Sequence, residues 1–297
     1  MRAGGAVTDP VTPAWTPVPP PEPFEIEGAD GGPLRGDLYP GGARTPVLLC
    51  HGFRSYKDWG FMPFLASHIA GAGIPAIAFN FSGSGVADRA GGFTEPERFR
   101  QDTYTRDLMD LRRVAVWAER RFGAPLRFGL AGHSRGGAIA LLHAAGDPRV
   151  GCVAAIATPR AIGVWPDDYV RAWERGEDAE FLDFRSGTML RLGPQYLDDI
   201  RALGERLDVT RAVAQLSAPL LVVQGDRDAL VTMNEARALA AAGAANMTEL
   251  CVIAGAGHGF QTGDAIRRRP PQLLDLAEVV AAWMRRWLPA PGPARLG

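Results

Sequence analysis

Lysine is almost absent from this chain. Lys57 is the only one, so arginine supplies nearly all of the positive charge, a bias that carries no functional information by itself. Acidic and basic residues nearly cancel, and the formal net charge is −1. Nucleic acids and anionic membranes are bound by strongly basic surfaces, so the composition argues against both kinds of partner.

Cysteine is scarce as well. Cys50, Cys152 and Cys251 each lie within or at the end of an apolar run that predicts a buried strand. An odd number of cysteines in such places indicates buried free thiols rather than a disulfide framework. The sequence has no Cys-x-x-Cys motif and no spaced histidine cluster, so we expect neither a metal site nor a bound cofactor.

Long apolar runs are also missing. No stretch reaches the roughly 20 residues of a transmembrane helix, and the first residues lack the apolar core of a signal peptide. We therefore expect a cytoplasmic protein. Apolar residues make up 46% and charged residues 22% of the 297 positions, as in soluble globular proteins. That length suits one large α/β domain.

Proline is concentrated near the start of the chain, between Thr12 and Pro21. Such a density prevents helices and central strands, so residues 1–23 are predicted to be a flexible lead-in. We expect the folded domain to span residues 24–288, with 289–297 as a C-terminal tail.

Short apolar runs alternate with amphipathic segments along the domain. This alternation predicts a mostly parallel sheet with helices on both faces. In chain order, the expected strands are 24–27, 34–39, 46–51, 74–80, a run beginning at Leu126, 150–157, 219–224 and 248–253. The expected helices are 60–72, 94–122, 138–145 and 272–288.

The segment from Leu126 to Gly137 carries the first chemical signal. An apolar run leads into Gly132-His133-Ser134-Arg135-Gly136, and a helical run follows at once. A strand, a sharp turn and a helix around a central serine form the G-x-S-x-G nucleophile elbow, in which flanking glycines leave room for a strained turn. Ser134 is therefore the candidate nucleophile, although the pentapeptide alone also fits an ordinary glycine-rich turn.

A serine hydroxyl needs a base, and the base needs an orienting acid. In this arrangement the acid and then the histidine follow the serine, on loops after later strands. His258 lies in a glycine-rich loop after the last predicted strand and is the candidate base. The loop after residues 219–224 holds Asp226 and Asp228; we favour Asp228 as the acid, and Asp226 as a residue that stabilises the turn.

Two backbone N–H groups should stabilise the negative charge that develops during acyl transfer. By position they belong to Arg135, which follows the nucleophile, and to Phe53, in the loop after the strand that ends near His51. His51 and His133 flank the same region, and we expect them to shape its turns by hydrogen bonds.

Residues 158–217 interrupt the alternation of strands and helices. An insertion of this length after a strand favours a lid over a simple connection, although packing alone would also explain it. It is rich in large side chains and contains a possible hairpin at residues 185–188: Trp165, Trp173, Phe181, Phe184, Met189 and Tyr196.

Taken together, these motifs resemble serine hydrolases of the α/β-hydrolase superfamily over residues 24–288. The resemblance rests on His51-Gly52-Phe53, Gly132 to Gly137, Asp228, and Gly257-His258-Gly259-Phe260. Lys57-Asp58-Trp59 and the segment from Phe79 to Gly85 are similar to bacterial carboxylesterases related to cinnamoyl (feruloyl) esterases. Those enzymes often have Gln where this chain has Arg135 and Asp where it has Asn80, and Arg135 could place a cation near the acyl pocket.

The resemblance implies an α/β-hydrolase fold with an eight-stranded, mostly parallel sheet and a small lid. It also implies a cofactor-independent esterase whose Ser134, His258 and Asp228 cleave small, apolar or aromatic esters through an acyl-enzyme. A peptidase or thioesterase with the same triad is the alternative enzyme. A non-catalytic ligand-binding protein with this fold is a further alternative.

Overall fold

The computed structural model describes residues 19–87, 92–183, 187–261 and 269–288. Within them, eight strands form one sheet and two more form a separate hairpin. In chain order the strands are β1 (Glu22–Glu27), β2 (Pro33–Tyr39), β3 (Val47–Cys50), β4 (Ala76–Phe79), β5 (Phe128–His133), β6 (Val150–Ile156), β7 (Ala179–Asp183), β8 (Thr188–Leu192), β9 (Leu220–Gly225) and β10 (Thr248–Ile253).

The large sheet has the order β1-β2-β4-β3-β5-β6-β9-β10. β1 pairs with β2, and β2 with β4, in antiparallel fashion; every other neighbouring pair is parallel. The central strands β3, β5 and β6 are apolar and almost completely buried, as strands covered on both faces must be. Their carboxyl ends meet at one edge of the sheet, where parallel α/β sheets bind ligands.

Helices cover both faces of the sheet. In chain order they are α1 (Met62–Gly71), α2 (Pro96–Arg100), α3 (Tyr104–Phe122), α4 (Arg135–Ala144), α5 (Asp167–Glu174), α6 (Gln195–Leu203), α7 (Val209–Ala214), α8 (Met233–Ala242) and α9 (Pro271–Trp287). Helices α1 and α9 pack together against one face, and α3, α4, α7 and α8 bury their apolar sides against the other. The predicted architecture, an eight-stranded and mostly parallel sheet between helical layers, is confirmed.

The prediction of one helix over residues 94–122 was wrong. The segment contains two helices, α2 and α3, because Thr103 adopts an extended conformation and caps α3 by accepting a hydrogen bond from the Arg106 N–H at 3.2 Å. A side-chain acceptor at a helix N-cap satisfies an otherwise unpaired amide, so a new helix can begin there.

The insertion between β6 and β9 folds as helix α5, a hairpin, and two further helices, α6 and α7. Its hairpin, β7 and β8, confirms the predicted turn region, although Phe184 and the turn residues 185–186 lie outside the described residues. The predicted lead-in, 1–23, lies outside them except for 19–23, and β1 already begins at Glu22. The predicted tail, 289–297, is wholly outside them.

The three cysteines differ in burial. Cys50 and Cys152 are buried thiols, as predicted, whereas Cys251 is only half-buried because β10 is the edge strand of the sheet. Burial raises the pKa of the Cys152 thiol to about 12 and keeps it protonated.

Candidate active site

Ser134 lies at the sharp turn between β5 and α4. Its φ of 54° and ψ of −123° place it in a strained, left-handed conformation that residues with side chains rarely adopt. A hydrogen bond of 2.8 Å from its N–H to the Ile156 carbonyl ties the turn to the neighbouring strand. The turn therefore has the geometry of a nucleophile elbow.

Glycines make this turn possible through close backbone approach. A Cβ added to Gly132 would lie 2.4 Å from the Gly136 carbonyl oxygen, and one added to Gly136 would lie 2.3 Å from the His51 carbonyl oxygen. Both distances are far below van der Waals contact, so neither position tolerates a side chain while the turn keeps its shape. The sequence signal of two flanking glycines thus has a direct steric cause.

The loops after β9 and β10 bring Asp228 and His258 together. His258 Nδ1 lies 2.8 Å from Asp228 Oδ2, and the side chain of Asp228 is completely buried. The N–H groups of Leu230 and Val231 donate to Oδ1 at 2.8 and 2.9 Å, and Gln224 Nε2 donates to Oδ2 at 3.1 Å. Burial alone would raise the pKa of Asp228, but the bonds from His258 and the two amides outweigh it and hold that pKa below its usual value.

Asp226 has a different position. Its carboxylate accepts a hydrogen bond from the Gly255 N–H at 2.7 Å and so joins the loop after β9 to the loop that carries His258. Because His258 contacts Asp228, the geometry separates two aspartates that the sequence could rank only by spacing.

The serine and the histidine are not hydrogen-bonded to each other within the described residues. Hydrogen bonds of a catalytic pair are often long without substrate and tighten in the reacting complex. His258 is fixed from a second side, since the ring of His133 lies 4.7 Å from its own and His133 Nε2 bonds the His258 carbonyl at 3.0 Å. Burial and the neighbouring imidazole lower the pKa of His133 to about 3, so His133 is neutral and donates in this bond.

The amides of Phe53 and Arg135 border the turn from two elements. Arg135 is the first residue of α4, and Phe53 follows Gly52, whose backbone packs against Ser134. In the described part of the chain neither amide has a hydrogen-bond partner, so both can donate to a ligand. The N-terminus of α4 adds the positive end of a helix dipole.

His51 supports the loop that carries Phe53. Its Nδ1 bonds the Gly52 carbonyl at 2.9 Å, and its Nε2 accepts from the Phe81 N–H at 3.1 Å. These partners require the neutral ring with its proton on Nδ1. Burial, aided by the charge of Arg135, accordingly lowers the pKa of His51 to about 4.

The sequence of the chain also identifies its family. Residues 47–289 match the model of the alpha/beta hydrolase family. The chain belongs to that family. No curated protein sequence matches it.

Solved structures similar to this hydrolase include esterases. The esterase domain of a Rhodothermus marinus protein is 21% identical, with a TM-score of 0.63 over 91% of this chain and 100% of its own. Est1E from Butyrivibrio proteoclasticus, solved with ferulic acid bound, is 18% identical, with a TM-score of 0.68 over 89% and 99%. The Pyrococcus furiosus esterase Pf2001 is 19% identical, with a TM-score of 0.60 over 91% and 93%. At these identities the likeness establishes the fold.

The side chain of Arg135 is not a free cation beside the turn at Ser134. It is buried and forms ion pairs with Asp102 and Asp107. Neither aspartate was a candidate from the sequence. A signal existed, because Asp107 and Asp110 fall on the helix face that also carries Leu111 and Val114, and charges on an apolar face need a buried partner.

Aromatic side chains of the insertion cover the loop that carries Phe53. Trp165 and Phe181 contact the Phe53 ring edge-on, with centroids 5.3 and 5.5 Å away. Trp173 and Tyr196 are buried and pack beneath Trp165. Most of these aromatics therefore form a core for the insertion, and Phe53 and Trp165, which are only partly buried, remain nearest to solvent.

Among the residues that the structure describes, no group of histidine, cysteine, aspartate and glutamate side chains is arranged to hold a metal ion. No helix in the same residues has the length and apolar character to cross a bilayer.

Proposed function

We propose that the protein hydrolyses carboxylic esters of small apolar or aromatic substrates through Ser134, His258 and Asp228. The single observation that carries the proposal is the 2.8 Å contact between His258 Nδ1 and the buried Asp228 carboxylate, on loops that follow the elbow in family order. Membership of the alpha/beta hydrolase family supports it.

The first half of the reaction forms an acyl-enzyme. With its Nδ1 proton donated to Asp228, the neutral imidazole has Nε2 free to accept the Ser134 proton as Oγ attacks the ester carbonyl. The tetrahedral oxyanion receives hydrogen bonds from the Phe53 and Arg135 amides. His258 then returns the proton to the departing alkoxide, and the alcohol leaves.

The second half repeats these steps with water. His258 takes a proton from water, the resulting hydroxide equivalent attacks the acyl carbon, and the same two amides hold the second oxyanion. Collapse breaks the acyl–Oγ bond, returns the proton to Ser134 and releases the carboxylic acid. Asp228 stays ionised throughout and stabilises the imidazolium.

The substrate class rests on what lies closest to the oxyanion loop. Phe53 and Trp165 present aromatic surface there. Est1E, a structural neighbour, holds ferulic acid, which is an aromatic acid. Both observations favour aromatic or short apolar acyl groups over long acyl chains.

The test measures the hydrolysis of nitrophenyl acetate, nitrophenyl butyrate and methyl ferulate by wild type and by Ser134→Ala. We expect wild type to hydrolyse these esters, and kcat of the variant to be lower by at least about 10³-fold. Ser217→Ala is the matched control, because Ser217 precedes β9 at the end opposite Asp228.

A fluorophosphonate probe should label wild type and the control at Ser134. Wild-type turnover in Ser134→Ala would refute the assignment, and hydrolysis only of thioesters or peptides would select the other enzyme class.

A further inference from the structure

Arg135 takes part in two structures at once. Its backbone N–H points from the start of α4, whereas its side chain is 90% covered and reaches Asp102 and Asp107, whose carboxylates are even more deeply buried. The distance from Nη2 to Asp102 Oδ2 is 2.7 Å, and the same nitrogen bonds Asp107 Oδ2. The residue after the nucleophile is therefore anchored at both its backbone and its guanidinium.

The two carboxylates come from the junction of α2 and α3. Asp102 lies in the break between these helices, and Asp107 lies in the first turn of α3. The Asp102 side chain packs closely against the backbone of Gly83, where an added Cβ would lie 2.0 Å from the carboxylate oxygen Oδ1. The break that ends α2 thus brings a carboxylate to the guanidinium that a continuous helix would place elsewhere.

Three aromatic rings surround the same guanidinium. Its central carbon lies 4.9 Å from the ring centroid of Tyr104, 5.4 Å from that of Phe53 and 5.6 Å from that of Tyr196. Cation–π contacts of this kind are strongest where water is excluded. Phe53 is the important one, because its amide is the second proposed oxyanion donor.

We propose that Arg135 is a positioning residue that sets the distance between the two oxyanion donors. Its backbone provides one donor, and its guanidinium, held by Asp102 and Asp107, packs against the side chain of the residue that provides the other. The inference rests on the proposed function of this site. A donor must match the developing oxyanion closely, since a displacement of about 1 Å can cost about 100-fold in rate.

The cluster is poorly designed for stability alone. Two carboxylates face one cation, and burial raises the pKa of Asp102 and, more strongly, of Asp107, against the opposing effect of Arg135. Among the described residues, Asp102 Oδ1 and Arg135 Nε are buried without a hydrogen-bond partner. Buried ion pairs with unsatisfied atoms seldom stabilise a fold relative to apolar packing, which favours a role in placement.

The central experiment replaces Arg135 by lysine. Arg135→Lys keeps the charge that Asp102 and Asp107 require but loses the planar group that lies among the rings. We expect a thermal midpoint close to that of wild type, KM within about threefold, and kcat lower by about tenfold or more. Phenylboronic acid, which forms a tetrahedral adduct with serine, should bind more weakly by the same factor. Arg100→Lys is the matched control, because Arg100 pairs with Asp178 on a more exposed part of α2.

A compensated variant tests the purely structural explanation. Arg135→Gln alone leaves two buried carboxylates without a cation and should unfold at a lower temperature. Arg135→Gln combined with Asp102→Asn and Asp107→Asn removes all three charges. We expect the triple variant to recover most of the thermal midpoint but not kcat. Recovery of both, or wild-type kcat in Arg135→Lys, would overturn the proposal.

A readout independent of turnover separates this inference from the proposed function. In protein labelled with ¹⁵N-phenylalanine, the Phe53 amide signal should shift in Arg135→Lys and stay in place in Arg100→Lys. If wild type hydrolyses no ester and no probe labels Ser134, the proposed function fails, and the shift still decides whether Arg135 positions Phe53. An unmoved Phe53 signal contradicts the inference whatever the activity.

Discussion

Asp226 and Asp228 stand two positions apart on one loop and have different contacts. Asp228 bonds His258, whereas Asp226 bonds the Gly255 amide. We expect Asp228→Asn to lower kcat by about 10⁴-fold, because an amide can stabilise the wrong imidazole tautomer and cannot balance imidazolium charge. Asp226→Asn keeps an acceptor for Gly255 and should retain most of kcat. Steady-state kinetics of both variants checks this.

The pair of variants can also contradict the assignment. If Asp226→Asn loses more activity than Asp228→Asn, the acid has been misassigned despite its contact with His258. Thermal unfolding of both proteins excludes a loss of fold as the cause. The sequence alone could favour Asp228 only by its spacing from Gly225, because both side chains lie in the same short loop.

His51 predicts a dependence of stability on pH. Its pKa is about 4 in the folded protein, against 6.5 for the ordinary group, and the bound Phe81 amide blocks protonation at Nε2. The unfolded chain therefore binds this proton first, and stability falls as pH decreases from 6.5 towards 4. The loss approaches about 1.4 kcal/mol per pH unit for each such histidine. His133, with its pKa of about 3, should act in the same direction.

Urea unfolding at pH 7, 6 and 5 measures the effect. His51→Asn offers one donor and one acceptor but cannot take up a proton, so its stability should fall less steeply over this range than that of wild type. Equal slopes for the two proteins would show that His51 does not titrate between the folded and unfolded states. The comparison concerns slopes, so an overall loss of stability in the variant does not obscure it.

At the scale of secondary structure, the junction of α2 and α3 is where the sequence was least informative. The apolar residues at helical spacing run from Tyr104 through Ala118 and all lie in α3, and this periodicity does not show that the residues before Tyr104 belong to a separate helix. Thr103 is the local signal, since threonine is favoured at an N-cap and disfavoured within a helix. Its significance becomes clear only when Asp102, beside it, is seen against Arg135.

Removal of this cap should affect both stability and catalysis. Thr103→Ala loses the acceptor for the Arg106 amide and should cost about 1 kcal/mol of stability. Because Asp102 and Asp107 flank the cap, we also expect a lower kcat. Asp208→Ala removes the corresponding cap of α7, which accepts from the Arg211 amide at 3.0 Å. It should cost similar stability and leave kcat unchanged; an equal loss of kcat in both variants would refute the link.

Strands were predicted more accurately than helix boundaries. All eight strands of the sheet exist, and the hairpin of the insertion lies where Gly187 and Thr188 indicated a turn. Buried parallel strands are continuous apolar runs, and the chain has few other places for such runs. The half-buried state of Cys251 was not evident, because membership of a strand does not reveal that β10 is an edge.

At the scale of the whole molecule, the sequence was least able to predict the ion pairs of Arg135 with Asp102 and Asp107. Asp102 and Asp107 lie some 30 positions before Arg135, and no local pattern connects them. The candidate nucleophile, base and acid were recognisable because each follows a strand of one parallel sheet, whose topology brings their loops to a common edge. No topological rule of this kind brings Arg135 to its two carboxylates. Their contact depends on packing between the junction of α2 and α3 and the turn at Ser134.

The fold itself places the site at the edge of a sheet stabilised by two separate apolar layers. Met284 of α9 is fully buried in one layer and contacts the Cys152 thiol of β6, with 3.4 Å between the sulfurs. Met284→Ala should lower the free energy of unfolding by about 2–5 kcal/mol, because the cavity lies against a central strand. Met109→Ala makes the same change at a residue of α3 that is 43% exposed, and should change stability by less than about 0.5 kcal/mol.

Activity provides the second measurement on the same pair. The loops that carry the proposed triad extend from β5, β9 and β10, and α9 packs against β6, β9 and β10 from the side away from Arg135. At temperatures where Met284→Ala remains folded, kcat should therefore match that of wild type, while heat inactivation and loss of circular dichroism should shift downward together. If activity disappears several degrees before the sheet unfolds, the loops depend on the α9 layer more directly than this packing implies.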